Sequence, residues 1–369
     1  MRQAYVDNIK WATVRLVVIY HVIFMFNANG IEGVMGPLCE KQPQDVFQYL
    51  VYPWFMAALF LVAGMNSWSS LQTRSDREFI RSRTVKLLVP STLGLFAFQW
   101  IQGWVNLTIS GAFDKMPAET PGIAKFLIMA EVGCGVLWFA RTLWLFSIAL
   151  VFIRYYEKGR LRSRLSNVNP FFILGAFLFW GGAHILNVPV VACYKFGFYG
   201  VAFFLGYFVF SHEKNIETIV KLAPCSLCAS IAFGINYVMK YYGQNYVETA
   251  VFGSFLSTFY AWFTILAILG FAKKYADVST PFAKWASQRS WGLYVFHYLG
   301  VSSCALLLYK SGLPPAAIYV ITAIAGFGVG YGLYEIISRI PVYRWFVLGI
   351  EEKRNNPRAS DKQDDASIS

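Results

Sequence analysis

Charge is what this chain has least of. Of 369 residues only 14% are Asp, Glu, Lys or Arg, against roughly 25% in an ordinary soluble domain, and that shortage excludes a water-soluble globular fold. Histidine occurs four times and cysteine six. Cys39, Cys134, Cys193, Cys225, Cys228 and Cys304 lie mostly inside apolar runs, where a thiol behaves as a small hydrophobe. Cys225 and Cys228 have CxxC spacing, but no second pair follows for zinc and no βαβ pattern surrounds them for redox work. Both are expected to pack, and no metal is expected. The first apolar run lacks a small-residue cleavage site, so no cleavable signal peptide is expected. No internal repeat is visible.

What the chain has instead is apolar surface: 57% hydrophobic residues, 18% aromatic, and a mean hydropathy of +0.47. Apolar runs near 20 residues give about ten candidate spans, roughly 10–27, 46–70, 86–109, 132–153, 170–187, 190–210, 219–239, 250–271, 291–309 and 315–337. The fold class that follows is all-α, a polytopic transmembrane bundle over residues 1–340. The segment 341–369 reads as a polar cytoplasmic tail, largely disordered at its end. The short connection from Asn187 to Pro189 predicts a tight outer hairpin between the fifth and sixth spans, with His184 and Lys195 at the interface.

A formal charge of +12 would suit nucleic acid, but the cations sit where topology puts them. Arg74, Arg77, Arg81, Arg83 and Lys86 precede the third span; Arg154, Lys158, Arg160, Arg162 and Arg164 follow the fourth. Lys273, Lys274, Lys284 and Arg289 follow the eighth, and Arg339, Arg344, Lys353, Arg354 and Arg358 fall in the tail. If each apolar run crosses once, all these loops share one side, which the positive-inside rule makes the cytoplasm, with both termini in it. The partner of this surface is a lipid bilayer, not nucleic acid. The opposite loops, 28–45 and 110–131, carry few cations and enough Gly, Pro and aromatic residues to read as ordered lids.

The polar groups inside the spans are few, and each is a functional hypothesis by default. The first span, DNIKWATVRLVVIYH, carries Lys10, Arg15 and His21. Eleven steps from Lys10 to His21 rotate about 1,100°, so both side chains share one stripe about 16 Å apart along the axis. Neutral imidazole suits general-base work near neutral pH. Lys10 also fits a snorkelling cation or a topology signal, and Asp7 fits the helix N-cap. Arg15 lies about 140° around the helix from Lys10; snorkelling and pairing inside the bundle both remain open for it. Arg83 and Lys86, three apart in FIRSRTVKLLVP, share a face one turn before Pro90, and read equally as topology charge or as a grip on an anion. Arg141 in LWFARTLWLF lies below a belt containing Trp138 and so requires a carboxylate or carbonyl partner. Tyr294 and His297 share a face in the ninth span, where packing is the better reading for His297.

With those pieces in view the chain resembles the acyltransferase-3 family of membrane-bound acyl-CoA-dependent acyltransferases. The resemblance rests on YVDNIKWATVRLVVIYH, with a basic residue and a His separated by ten, on FLVAGMNSWSSL, FIRSRTVKLLVP, LWFARTLWLF and YVFHY, and it covers nearly the whole chain. It implies that His21 is the catalytic base, that Lys10 stands at the family's basic partner position, and that Arg83 and Lys86 help to hold the acyl donor. Arg15 and Ala140 are departures from the family pattern. The stand-alone form, a bacterial cytoplasmic membrane and the possibility of a homo-oligomer go with the likeness.

The reading is an O-acyltransferase moving an acyl group, acetyl foremost, from cytoplasmic acetyl-CoA to a hydroxyl of an envelope carbohydrate or small glycosylated or secreted molecule. Phosphates would stay with Lys10, Arg83 and Lys86 while the pantetheine arm threads toward His21. An oxyanion stabiliser is needed, with Arg141, Tyr294 and Asn66 as candidates. The rival reading is a transporter of a small anionic or sugar-like solute, but Pro53, Pro90 and Pro224 do not fall into the matched repeats that transporters often show.

Overall fold

A computed structural model describes residues 3–188 and 194–351, and these are mostly helical, with a single antiparallel bridge between Asn187 and Lys195. In chain order the principal helices are α1 (Ala4–Met25), α2 (Phe55–Leu71), α3 (Asp76–Arg83), α4 (Trp100–Ile109), α5 (Gly122–Val132), α6 (Trp138–Glu157), α7 (Phe171–Gly182), α8 (Phe196–Phe208), α9 (Glu213–Tyr241), α10 (Phe255–Tyr275), α11 (Pro281–Leu308), α12 (Pro315–Ile337) and α13 (Pro341–Leu348). Among the described residues, eight helical stretches are long and apolar enough to cross a membrane, those containing α1, α2, α3 with α4, α6, α9, α10, α11 and α12. α7 and α8, at the places of the expected fifth and sixth spans, have 12 and 13 residues. At 1.5 Å per residue each is about 18–20 Å long, short of a hydrocarbon core of about 30 Å.

α1 is the central helix, touching α2, α10, α11 and α12. Its apolar side chains are accordingly buried around most of its circumference, from Tyr5 and Val6 to Val22 and Met25. α2 and α8 pack backbone to backbone: a Cβ added at Gly64 would stand 2.0 Å from the Phe203 carbonyl oxygen, and one at Gly206 would stand 2.0 Å from that of Leu61. Small residues permit this approach, which is how helices gain contact when lipid gives no hydrophobic drive between them.

The third span is not one continuous α-helix. A π-helical turn at Thr84–Leu88 leads into Val89–Ser91, and a second follows at Leu95–Gln99. Pro90 lacks the N–H that a regular helix would use there. The Ser91 hydroxyl donates to the carbonyls of Leu87 and Leu88 at 2.7 and 3.2 Å, and that of Thr92 to Leu88 at 2.6 Å, so carbonyls freed by the irregularity regain partners without water.

Five sequence-based expectations change. Asp7 is not the N-cap of α1: the helix starts at Ala4 after Gln3, and the carboxylate of Asp277 accepts the Tyr5 N–H at 3.1 Å from the loop before α11. Burial opposes ionisation of Asp277, but Lys273 at 3.0 Å and the backbone N–H groups of α1 hold its carboxyl below the usual range. The outer connection between α7 and α8 is longer than a turn at Asn187–Pro189, since the chain pairs Asn187 with Lys195 across it. Lys195 is only 3% exposed rather than interfacial; its ammonium donates to the Val247 carbonyl at 3.0 Å and lies over the Phe252 ring. Cys225 and Cys228 are exposed on α9 instead of packed. At the other end, residues 341–348 form a docked helix with Val347 and Leu348 buried. Pro189, Cys193, Lys353, Arg354, Arg358 and the rest of the tail lie outside the described residues.

Candidate active site

Five of the polar residues picked from the sequence meet in one place. Lys10 of α1, Asn66 of α2, Arg83 at the end of α3, Lys86 in the first π turn and Tyr294 of α11 all line a single slot. Apolar walls come from Val14, Leu87 and Phe139, with Trp291 beside Tyr294. The slot holds about 100 Å³, far below the 300–1,000 Å³ typical of pockets that enclose a whole small ligand. It can take a thin chain but not a nucleotide. Lys86 is exposed while Arg83 is half-buried, so the cations grade from the mouth inward. The Arg83 guanidinium donates to the Ser67 hydroxyl at 3.1 Å and lies over the Phe79 ring, 5.0 Å from its centre, contacts that fix a long side chain in place. Asn66 forms no side-chain hydrogen bond among the described residues, which leaves an amide facing the slot beside Lys10 and Val14.

His21 lies farther along α1, seven residues and about 10 Å beyond Val14 on the same helix. The residue is half-buried, and its ring is packed by Tyr20, Phe24 and Tyr298, the last with ring centres 4.9 Å apart. His21 Nδ1 stands 2.8 Å from the Val17 carbonyl and 3.1 Å from Nε2 of His297. His297 is fully buried, and its Nδ1 faces the carbonyls of Leu293 and Tyr294 at 3.1 and 2.9 Å. Sequence reasoning favoured packing for His297 and kept a supporting role at the site as the alternative; the structure sets it against His21, the residue that the same reasoning ranked first. The signal was an imidazole inside an apolar run three residues after a slot-lining Tyr; only the pairing of α1 with α11 turns that into a contact.

The other candidates do different work. The Arg141 guanidinium donates to Glu131 at 2.9 Å and to the Ser91 carbonyl at 2.7 Å, so the carboxylate and carbonyl partners its depth demands are both present, and it braces the irregular third span against α6. The Tyr294 hydroxyl donates to the Val136 carbonyl. Neither is free to hold an oxyanion in this arrangement. Trp138 packs inward on Tyr199, with ring centres 5.2 Å apart, and does not line the slot. Arg15 lies among Trp11, Phe282, Trp285 and Tyr331, its guanidinium carbon 4.8–6.0 Å from their ring centres, on a face of α1 away from the slot. Asp7 borders a separate polar recess with Lys284 and Gln288.

The arrangement therefore offers a narrow slot bordered by three cations and, farther along the same helix as Lys10, an imidazole. A family model described as an acyltransferase domain, that of the acyltransferase-3 family, matches residues 3–335. No curated protein matches, and no solved structure matches.

Proposed function

The chain belongs to the acyltransferase-3 family and is a membrane acyltransferase, and from that premise we propose that it carries an acetyl group from acetyl-CoA at the basic end of the bundle to a hydroxyl of an envelope carbohydrate or small secreted molecule, with His21 as general base. The observation that carries the proposal is the slot that gathers Lys10, Asn66, Arg83, Lys86 and Tyr294 from four segments of the chain, beside the helix α1 that carries both Lys10 and His21.

The dimensions divide the donor in two. The nucleotide with its phosphates is too large for the slot and stays at the mouth, where Lys86 and Arg83 supply point charge and bidentate donors. The pantetheine arm is thin enough to enter, and its amides match the Asn66 side chain. The acceptor hydroxyl gives its proton to Nε2 of His21 while its oxygen attacks the thioester carbonyl carbon. The carbon–sulfur bond then breaks, and the imidazolium returns the proton to the departing thiolate. Atoms and charge balance with free CoA and an ester as products. Holding both reactants in register is where much of the acceleration would arise.

The test uses the full-length protein in detergent or nanodiscs with radiolabelled acetyl-CoA. His21→Ala is expected to lower CoA release and acyl transfer by about 10²–10⁴-fold, the ordinary contribution of a positioned general base. Turnover unchanged in that variant would remove the assignment of His21.

A further inference from the structure

We propose that His297 is a positioning residue for the acyl transfer: it holds the His21 imidazole in the one tautomer that leaves Nε2 unprotonated, and shares the charge when that ring accepts a proton. The inference rests on the reading of His21 as the base.

The hydrogen-bond pattern has a single self-consistent solution. Nδ1 of His297 faces two carbonyl oxygens, from Leu293 and Tyr294, and carbonyls only accept, so this nitrogen carries the proton. In neutral imidazole the other nitrogen is then an acceptor, and Nε2 of His297 points at Nδ1 of His21. The second neighbour of that nitrogen, the Val17 carbonyl at 2.8 Å, also accepts only. Nδ1 of His21 must therefore be the donor, its hydrogen shared between a carbonyl of its own helix and an imidazole of α11. Nε2 of His21 is left as a lone pair, and it makes no hydrogen bond among the described residues.

The pair is also asymmetric. His297 is fully buried with both nitrogens engaged, whereas His21 is only half-buried and its hydrogen-bond contacts among the described residues engage Nδ1 alone. Only His21 can meet a substrate. When its Nε2 takes the acceptor proton, the new charge spreads to Nδ1–H and strengthens the bond to His297, as a hydrogen bond with an ionised partner is about twice as strong as a neutral one. His297 undergoes no net change, since the proton leaves with the CoA thiol. Phe would fill the same volume without the nitrogens, so a ring needed only for packing would not need to be histidine.

Acetyl-CoA turnover, read as released CoA thiol from full-length protein in nanodiscs, separates these roles. His297→Phe is expected to lower kcat about 100-fold with KM for acetyl-CoA within about twofold. His297→Gln, whose amide oxygen reaches the place of Nε2, is expected to recover most of the loss; His297→Asn, too short to reach His21, is not. The double variant His21→Ala with His297→Phe should fall no lower than His21→Ala alone. Wild-type kcat in His297→Phe beside an inactive His21→Ala overturns this inference and leaves the base in place. Equal losses in the Gln, Asn and Phe variants, or a change confined to KM, overturn it as well. Should His297→Phe fail to fold, the Gln and Asn pair alone decides. Full turnover in His21→Ala overturns the base and this inference together.

Discussion

Arg15, Lys10, Arg83 and Lys86 all lie in candidate spanning helices, and their surroundings give them unlike tasks. Arg15 is boxed by four aromatic rings, which substitutes π faces for water. Lys10, Arg83 and Lys86 instead border the slot. Replacing Arg83 and Lys86 together by Ala is expected to raise KM for acetyl-CoA about 10–100-fold while kcat changes little, because contacts to the nucleotide are the same before and during the transfer; steady-state kinetics with acetyl-CoA as the varied substrate decides it. Much of this was legible in the letters. The eleven-residue step from Lys10 to His21 and the three-residue step from Arg83 to Lys86 are helical spacings that need no tertiary information. His297 was not legible, since its meaning depends on a residue 276 positions away. Nor were Arg141's partners, Glu131 ten residues earlier and a backbone carbonyl freed near Pro90, although the need for such partners was.

Among the elements, hydropathy located the long spans but could not see inside them. The third span looks uniform as a run of apolar residues, yet it contains two π turns around Pro90, and π turns concentrate at functional sites because they rotate side chains off the regular spiral. Lys86 is carried by the first of them. Glycine placement was equally silent: Gly64 and Gly206 are ordinary letters until α2 and α8 meet. Gly206→Ala drives a methyl group against a rigid backbone oxygen 2.0 Å away, and a core overfilled in this manner loses about 1–3 kcal/mol. The expected result is faster thermal inactivation of the purified protein with KM for acetyl-CoA unaltered in the molecules that remain folded. A variant as heat-resistant as wild type would mean that α2 and α8 are not so closely seated.

For the whole molecule, Lys10, Arg83 and Lys86 of the slot belong to the basic segments that the positive-inside rule puts in the cytoplasm, and an even number of crossings would bring both termini to that side. Reporter fusions check this: a fluorescent protein that matures only in the cytoplasm should glow when fused at either terminus, and alkaline phosphatase fused after residue 187 should be active. A dark fusion at one end and a bright one at the other would require an odd count of crossings, as when only one of α7 and α8 spans. The docked α13 bears on any attempt to shorten the gene. The indole N–H of Trp291, a wall of the slot, donates to the carbonyl of Leu348 at 2.9 Å. A stop codon placed after residue 340, where the apolar pattern ends, would delete the strut behind the slot; affinity handles belong beyond Glu351 or ahead of the first helix.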